Sequence, residues 1–461
     1  MTKLTFIDLF CGIGGFHQAL IKINKDNKCI LASDICPKAK AVYQDNYGDD
    51  IPFNDNIKYI TQLEFKKKDT ELQQIQELSP DEYKKALTKN INTHIKGKLD
   101  VICGGFPCQP FSNGGQKGAF LDPRGTLFYD IIEIANVKKP KFMFLENVKH
   151  IKKVSNGDVY KAILNTLKET GYKVFVNIIS PHQLGVPQQR ERVIFSCIRN
   201  DIYHKALVKN NGLKNIQLEG EFPLDIQPDI KIDFTKIIDK VTGEELEKYK
   251  ISEELENVLN CWNKAVEFVD DKEKLSPTIL AENLKTNYFQ LDDEGNIAFN
   301  ADKEPIVKNE YLTEWNSFPT WKKDYVLKNK TIYNTYKSKW DKWLKDNDKL
   351  LKKKKIYSKL EWQTGPKKKN DTIWNYFIQI RQSGIRVKKA KYFPTLVAIV
   401  QTPIYGKEKR YITPRECARL QSFPDSFKLP EKDQVAYKQF GNAVNVDVVY
   451  TVMKKVLDTF N

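Results

Sequence analysis

Cysteine and histidine are sparse and scattered in this chain. Eight cysteines, at positions 11, 29, 36, 103, 108, 197, 261 and 417, form no Cys-x-x-Cys pair. No histidine spacing joins them into a zinc site, so a structural metal and a disulfide framework are both excluded. No run of about 18 apolar residues could cross a bilayer as a helix. The N-terminus enters a strand-like stretch, residues 4–10, without the charged and apolar regions of a signal peptide. A cytosolic location away from membranes is therefore expected. No internal repeat is evident.

What is present is a core and an excess of positive charge. At 461 residues and 41% hydrophobic content, the chain can bury a substantial core and is long enough for two or three domains. A formal charge of +16 points to a polyanionic partner, because lysine and arginine bind phosphates by releasing their counterions. The charge is uneven: residues 321–370 hold 17 lysines against 5 acids, a net of +12. Tyr333, Tyr336, Trp340, Trp343, Tyr357 and Trp362 are interleaved with them. Two readings are open, a solvated basic helix whose aromatics face a core, or a nucleic-acid-binding face.

From residue 1 to about 200, short β-branched or apolar runs alternate with helical patterns, which argues for a doubly wound, mostly parallel sheet in an α/β domain. Candidate strands are residues 4–9, 29–33, 101–103, 142–145, 173–179 and 193–198. Each precedes a Gly, Pro or polar loop, where ligands of open α/β sheets bind. Residues 60–97 read as an exposed helical insertion. From about 225 to 425 the pattern becomes irregular and richer in Trp and Tyr. Regularity returns at 435–440, a turn at Gly441-Asn442, and an apolar run from 443 that suits a helix. The division expected is 1–225 completed by 430–461 as one domain, with 226–429 as a smaller inserted domain.

The first strand ends in Asp8-Leu9-Phe10 and is followed by Cys11-Gly12-Ile13-Gly14-Gly15-Phe16. Three glycines at a strand-to-helix turn let a ligand approach the backbone. Asp34, at the end of the next strand, is placed to accept hydrogen bonds from ribose hydroxyls. The spacing is not Gly-x-Gly-x-x-Gly, and the loop alone fits any nucleotide cofactor.

Three further motifs follow in order: Phe106-Pro107-Cys108-Gln109, Glu146-Asn147-Val148 and Gln188-Gln189-Arg190-Glu191-Arg192. With Arg124-Gly125-Thr126-Leu127-Phe128 and Gln439-Phe440-Gly441-Asn442-Ala443-Val444, their order and spacing resemble the DNA (cytosine-5)-methyltransferases of bacterial restriction-modification systems. The resemblance covers the first 200 and last 80 residues. It implies the S-adenosylmethionine-dependent methyltransferase fold with an inserted target-recognition domain. It also implies S-adenosylmethionine as methyl donor without a metal, and double-stranded DNA as substrate. A monomeric enzyme in the bacterial cytoplasm, sharing its site with a cognate restriction endonuclease without a stable complex, completes the expectation.

The resemblance also assigns residues. Phe10, Gly12, Ile13, Gly14 and Gly15 surround the methionine portion of the donor, with Asp34 on the ribose and Ile35 against the adenine. Asn56-Ile57 stands where the family more often has Asp-Ile, and Asn56 can still present a polar atom to an adenine edge. Gly105, Pro107, Leu127, Asn442 and Val444 complete the donor site. Cytosine C5 is a poor nucleophile, so the ring must first be activated by addition at C6. Cys108 supplies the thiolate, Glu146 acts as general acid toward N3, and Arg192 donates to O2. Arg190 supports the same motif. The target base must leave the duplex, which costs a few kcal/mol.

Arg381-Gln382-Ser383-Gly384-Ile385-Arg386, Phe393-Pro394-Thr395-Leu396, Arg415 to Gln421 and Phe423-Pro424 match the family's segments that organise the recognition domain. The residues that read base edges are not legible. Lysines 352–355 and 367–369 are better suited to phosphate than to base contact. Two alternatives share the motifs: an RNA cytosine C5-methyltransferase of the tRNA type, and a catalytically silent DNA binder.

Overall fold

The apolar runs of the first 200 residues form a seven-stranded sheet in the computed structural model, which describes residues 2–65, 67–107, 127–209, 220–227, 230–269, 275–388, 392–398 and 401–461. Its strands are β1 (Thr5–Leu9), β2 (Lys28–Ser33), β3 (Phe53–Asn54), β4 (Val101–Gly105), β5 (Phe142–Val148), β6 (Tyr172–Ile179) and β7 (Arg192–Arg199). Their order across the sheet is β3-β2-β1-β4-β5-β7-β6. All the pairings are parallel except those of β7, which runs antiparallel to both β5 and β6. The strand order reverses between β1 and β4. In open α/β sheets the crevice beyond the carboxyl ends of the strands at such a switch point is where ligands bind.

Helices cover both faces of the sheet because their apolar residues recur at helical spacing. Gly15–Ile23 buries Phe16, Ala19 and Leu20. The last helix, Val446–Phe460, is started by Asn445, whose Oδ1 accepts from the Val448 amide at 3.0 Å. It buries Val446, Val448, Val449, Val452, Met453, Val456, Leu457 and Phe460 and packs against Gly15–Ile23. Each such side chain contributes on the order of 2 kcal/mol, which ties the C-terminal segment to the first strands. Residues 60–97 are less exposed than the sequence suggests. The helix Pro80–His94, capped by Ser79 and Glu82, sinks Leu87 and Ile91 into the core. Gly441-Asn442 is not a turn but the end of the helix Asp433–Asn442.

The chain divides into one unit of residues 1–237 and 414–461 and a second of residues 238–413. It re-enters the first unit at Pro414, earlier than the sequence boundary at 430. The helix Pro414–Leu420 is bound to the closing segment: Gln421 Nε2 donates to Phe440 O at 2.6 Å and Asn445 Nδ2 to Leu420 O at 3.0 Å.

The second unit is built on a six-stranded sheet of β8 (Thr278–Leu280), β9 (Lys359–Gln363), β10 (Phe377–Arg381), β11 (Gly384–Lys388), β12 (Ile404–Tyr405) and β13 (Arg410–Tyr411), in the order β13-β12-β10-β11-β9-β8. The aromatics of the basic window fall inward. Tyr333, Trp340, Trp343, Tyr357 and Trp362 are buried, around Trp262 and the apolar face of this sheet. Its lysines are substantially paired. Lys337–Asp341, Lys342–Asp346 and Lys352–Asp348 are i,i+4 or reversed i,i+4 ion pairs at 2.9, 2.7 and 2.8 Å. Lys353 and Lys354 both reach Glu254. Lys367 is buried, its Nζ donating to the carbonyls of Glu267 and Val269. Of the lysines expected at phosphates, Lys367 is buried in the fold, whereas Lys352, Lys353 and Lys354 keep more than half of their side chains exposed in their ion pairs.

Candidate active site

The crevice between β1 and β4 is framed by two glycine-bearing strand ends. At the first, Phe10 and Gly12 both adopt left-handed backbone, with φ of 53°. A Cβ placed on Gly12 would meet nothing within 4 Å, so open space lies directly over its backbone. Gly14 and Gly15 have a different reason to lack a side chain. A Cβ on Gly14 would lie 2.3 Å from the Tyr47 ring, and one on Gly15 would lie 2.5 Å from Val444 Cγ1. Tyr47 also donates its hydroxyl to Gly14 O at 2.9 Å and stacks on His17 at 3.9 Å. Ile13 is buried and Phe10 half-buried.

Asp34 closes this end of the crevice. Its Oδ2 accepts from the Gly12 amide and its Oδ1 from the Cys36 amide, each at 2.8 Å. An ionised carboxylate has about four acceptor sites, so two remain for hydroxyl donors. Ile35 beside it is 75% exposed, an apolar side chain left bare where a flat ring could cover it. Asn56 spends its Oδ1 on the Lys58 amide at 3.1 Å, and Ile57 is buried in the core. Asn442 is exposed, and Leu127 and Val444 half-buried.

The second strand end carries the reactive polar groups. Gly104 lets β4 lie against β1: a Cβ there would approach Leu9 O to 2.5 Å. Gly105 pairs with Glu146 in the parallel β4–β5 ladder, and its missing Cβ leaves room 3.2 Å from Glu146 Oε2. Glu146 Oε1 lies 2.7 Å from Arg192 Nε, with the two side chains 14% and 15% exposed. Register explains the pair. Glu146 stands opposite Ile194 across β5 and β7, so Arg192 is its diagonal neighbour. Asn147 donates from Nδ2 to Phe106 O at 3.0 Å and holds the chain beyond β4. Pro107 is exposed. Cys108 lies outside the described residues.

Arg190 is a scaffold for the site. It is buried, its Nη2 donates to Gly441 O at 3.0 Å and Ala443 O at 3.3 Å, and its amide donates to Ser180 Oγ at 2.8 Å. Burial, and secondarily Arg192, pulls its ionisation below the ordinary arginine value. Ser180 and Tyr47 belong to this framework, and sequence reasoning did not single them out, whereas Asn147 stood in a named motif without an assigned role. The signal of Ser180 and Tyr47 is a contact between distant segments rather than a motif.

Burial disfavours charge on the groups beneath the crevice. Burial holds the Asp8 carboxyl well above the usual range, and it raises the Cys103 and Cys11 thiols. Raised, buried thiols are inert, so the role of nucleophile does not fall to Cys103, five residues before Cys108.

A doubly wound sheet with a glycine turn and a free carboxylate face at its switch point, and a glutamate–arginine pair on the strands beyond β4, defines an enzyme of the nucleotide-cofactor α/β class. Comparison with known proteins narrows the class. The model of the C-5 cytosine-specific DNA methylase family matches residues 4–458, and the chain belongs to that family. It is 28% identical to the type II methyltransferase M.AluI of Cellulosimicrobium cellulans, covering 98% of this chain and 92% of that one. Identity is 28% with M.HpaII of Haemophilus parainfluenzae (99% and 90%) and 24% with M.HhaI of Haemophilus parahaemolyticus (100% and 96%). Among solved structures, the S. pombe Dnmt2 methyltransferase aligns over the whole of both chains at 16% identity and a TM-score of 0.46. The protein is a DNA (cytosine-5-)-methyltransferase, and its family uses S-adenosylmethionine as methyl donor.

The crevice residues fit that donor. Gly12 leaves space against the backbone, Asp34 keeps acceptor capacity, and Ile35 offers an apolar surface. Among the described residues no helix is long and apolar enough to cross a membrane.

Proposed function

We propose that this enzyme methylates C5 of a cytosine flipped out of a specific site in double-stranded DNA, and that it protects that site from a cognate restriction endonuclease. The observation that carries the reading is the Glu146–Arg192 pair at the ends of β5 and β7, facing the gap left by Gly105. A carboxyl and a guanidinium side by side match the N3 and O2 edge of cytosine. Glu146 donates a proton or hydrogen bond to N3, and Arg192 holds O2 while positioning Glu146.

Cys108, the residue after Pro107, is assigned as the nucleophile. Its thiolate forms a bond to C6 and the C5=C6 electrons move toward C5 and the N3–O2 edge, where Glu146 and Arg192 stabilise them. S-adenosylmethionine supplies an electrophilic methyl group when bound. Loss of the C5 proton and expulsion of the Cys108 thiolate then restore the ring. Asp34 would hold the ribose of the donor, Ile35 and Ile57 the adenine, Asn56 an adenine edge. Phe10, Gly12 to Gly15, Gly105, Pro107, Leu127, Asn442 and Val444 would line the rest. Arg190 holds residues 441–443 in place for this purpose. The second unit, residues 238–413, is assigned to recognition of the DNA site. The protein would act as a monomer in the bacterial cytoplasm.

The test is covalent trapping. Duplex DNA containing 5-fluorocytosine blocks proton loss from C5, so the enzyme and methyl donor should leave a stable protein–DNA adduct that Cys108→Ser does not form. No adduct with the unaltered enzyme, on otherwise unmethylated 5-fluorocytosine duplexes of diverse sequence, refutes the mechanism.

A further inference from the structure

Side chains alternate along strands, so β9 and β11 of the six-stranded sheet in the second unit have one apolar and one charged face, while β10 buries Phe377, against Phe393, and Gln379 on the second face. Ile279, Leu360, Trp362, Ile378, Ile385 and Val387 point into the core. The other face carries Lys359 and Glu361 on β9, Arg386 and Lys388 on β11, and Arg381 on β10. Glu361 stands opposite Arg386 in the register of β9 and β11.

Glu361 is the hub of this face. It is buried, and its Oε2 receives both Nε and Nη2 of Arg386 at 2.7 Å. Its Oε1 lies 3.4 Å from Lys359 Nζ and accepts from Ser383 Oγ at 3.3 Å, and Arg381 Nη1 lies 3.8 Å from Oε2. Three cations thus gather around one carboxylate, and Lys388 stands two residues beyond Arg386 on the same strand. No other carboxylate lies within ion-pair distance of them among the described residues. The side chains of Lys359, Arg381 and Arg386 are only 21%, 31% and 27% exposed.

Half-buried like charges are costly unless an anion joins them. Burial, then repulsion by Arg386, pulls both Arg381 and Lys388 below their ordinary ionisation, so the cluster retains uncompensated positive charge. Glu361 draws the cations together and turns Arg386 by its Nε–Nη2 edge, which leaves the Nη1 amino group for a ligand.

We infer that Glu361 is a positioning residue that aims Arg386 and Arg381, with Lys388 beside Arg386 on the same strand, at phosphates of the DNA backbone. This rests on the reading of the protein as a DNA methyltransferase. It differs from a general attraction of DNA to basic charge in one respect. Glu361→Gln adds a positive charge to the face, and charge alone would tighten DNA binding. Loss of positioning weakens it.

The experiment measures binding of a short fluorescent duplex across a salt series, with steady-state methyl transfer to plasmid DNA, for the whole enzyme. For Glu361→Gln the expected result is about tenfold weaker duplex binding and a KM for DNA raised by a similar factor, with kcat changed less than twofold. Glu361→Asp should recover part of the loss. Lys388→Gln should lower the salt slope by about one contact, and it decides the matter if Glu361→Gln fails to fold. Unchanged or tighter binding by Glu361→Gln overturns the inference, as does an unchanged slope for Lys388→Gln. Duplex RNA competing as well as DNA also overturns it. If the unaltered enzyme does not methylate cytosine in DNA, the functional reading itself fails, whatever the variants bind.

Discussion

Two glycines three residues apart should respond to the same substitution in opposite ways. Gly12 has left-handed backbone and open space where a Cβ would sit. Alanine there pays about 1–2 kcal/mol for its backbone conformation and nothing for packing. Its methyl group would project into the space assigned to the methyl donor. Gly15 begins a helix, and a Cβ would sit 2.5 Å from Val444 Cγ1 and 2.8 Å from Val444 O. The carbonyl belongs to the backbone and yields less readily than a side chain, so overpacking should cost about 1–3 kcal/mol. Denaturant melts and calorimetric titration with S-adenosylhomocysteine separate the two effects. Gly12→Ala should lose at least about tenfold in affinity, or about 1.4 kcal/mol, beyond any change in stability. Gly15→Ala should lose stability first, with affinity falling only as Val444 is displaced. Gly12→Ala binding the product as tightly as the unaltered enzyme would place the donor elsewhere. Gly15→Ala with undiminished stability would refute the packing argument.

Other consequences follow from the same geometry. Arg190→Met should destabilise the first unit by about 2–3 kcal/mol, because it strands the buried carbonyls of Gly441 and Ala443; a melt equal to the unaltered enzyme would remove Arg190 from the scaffold. His17 is buried against Tyr47 and Tyr43, and burial lowers its pKa to about 3. The folded state therefore binds its proton later than the unfolded chain does. The stabilisation from keeping the imidazole neutral is complete above about pH 6.5 and is lost as pH falls toward about 3. Between pH 6.5 and 5 this amounts to about 2 kcal/mol, and His17→Gln should flatten the stability profile by that amount. Parallel profiles for the two proteins would show that His17 titrates normally.

The legibility of the sequence varied with the range of the interaction. The six strands foreseen are all present, shifted by at most a few residues, because an apolar β-branched run buried between helix layers carries its own signal. β3, with two residues, has no such run and was missed. The helix Pro80–His94 shows why composition misleads: many of its positions are polar, and Leu87 and Ile91 alone anchor it. Gly441-Asn442 has the composition of a turn, but the helix Asp433–Asn442 runs through it, anchored by Phe440 and by Gln439, whose Nε2 donates to Lys38 O. In the site, Glu146 and Arg192 were named from motifs, but their pairing depends on the antiparallel register of β5 and β7. That register comes from residues far apart in the chain. The lysine-rich window was the least legible, since each ion pair depends on where the helices Thr320–Thr335 and Lys337–Lys353 turn their faces. The polar cluster around Glu361 was legible only in part: Arg381, Ser383 and Arg386 stood in a segment named from the resemblance, but their convergence on Glu361 depends on how three strands pair.

The account stands most directly on base-resolution mapping of 5-methylcytosine in DNA from cells that express the enzyme, in a host without cytosine methylation of its own. Cys108→Ser and Arg192→Ala would be expressed beside it. The account predicts methylation of one cytosine in one short motif with the unaltered enzyme and at background level with either variant. Methylation that survives Cys108→Ser, or a soluble enzyme that leaves the DNA unmodified, would contradict it.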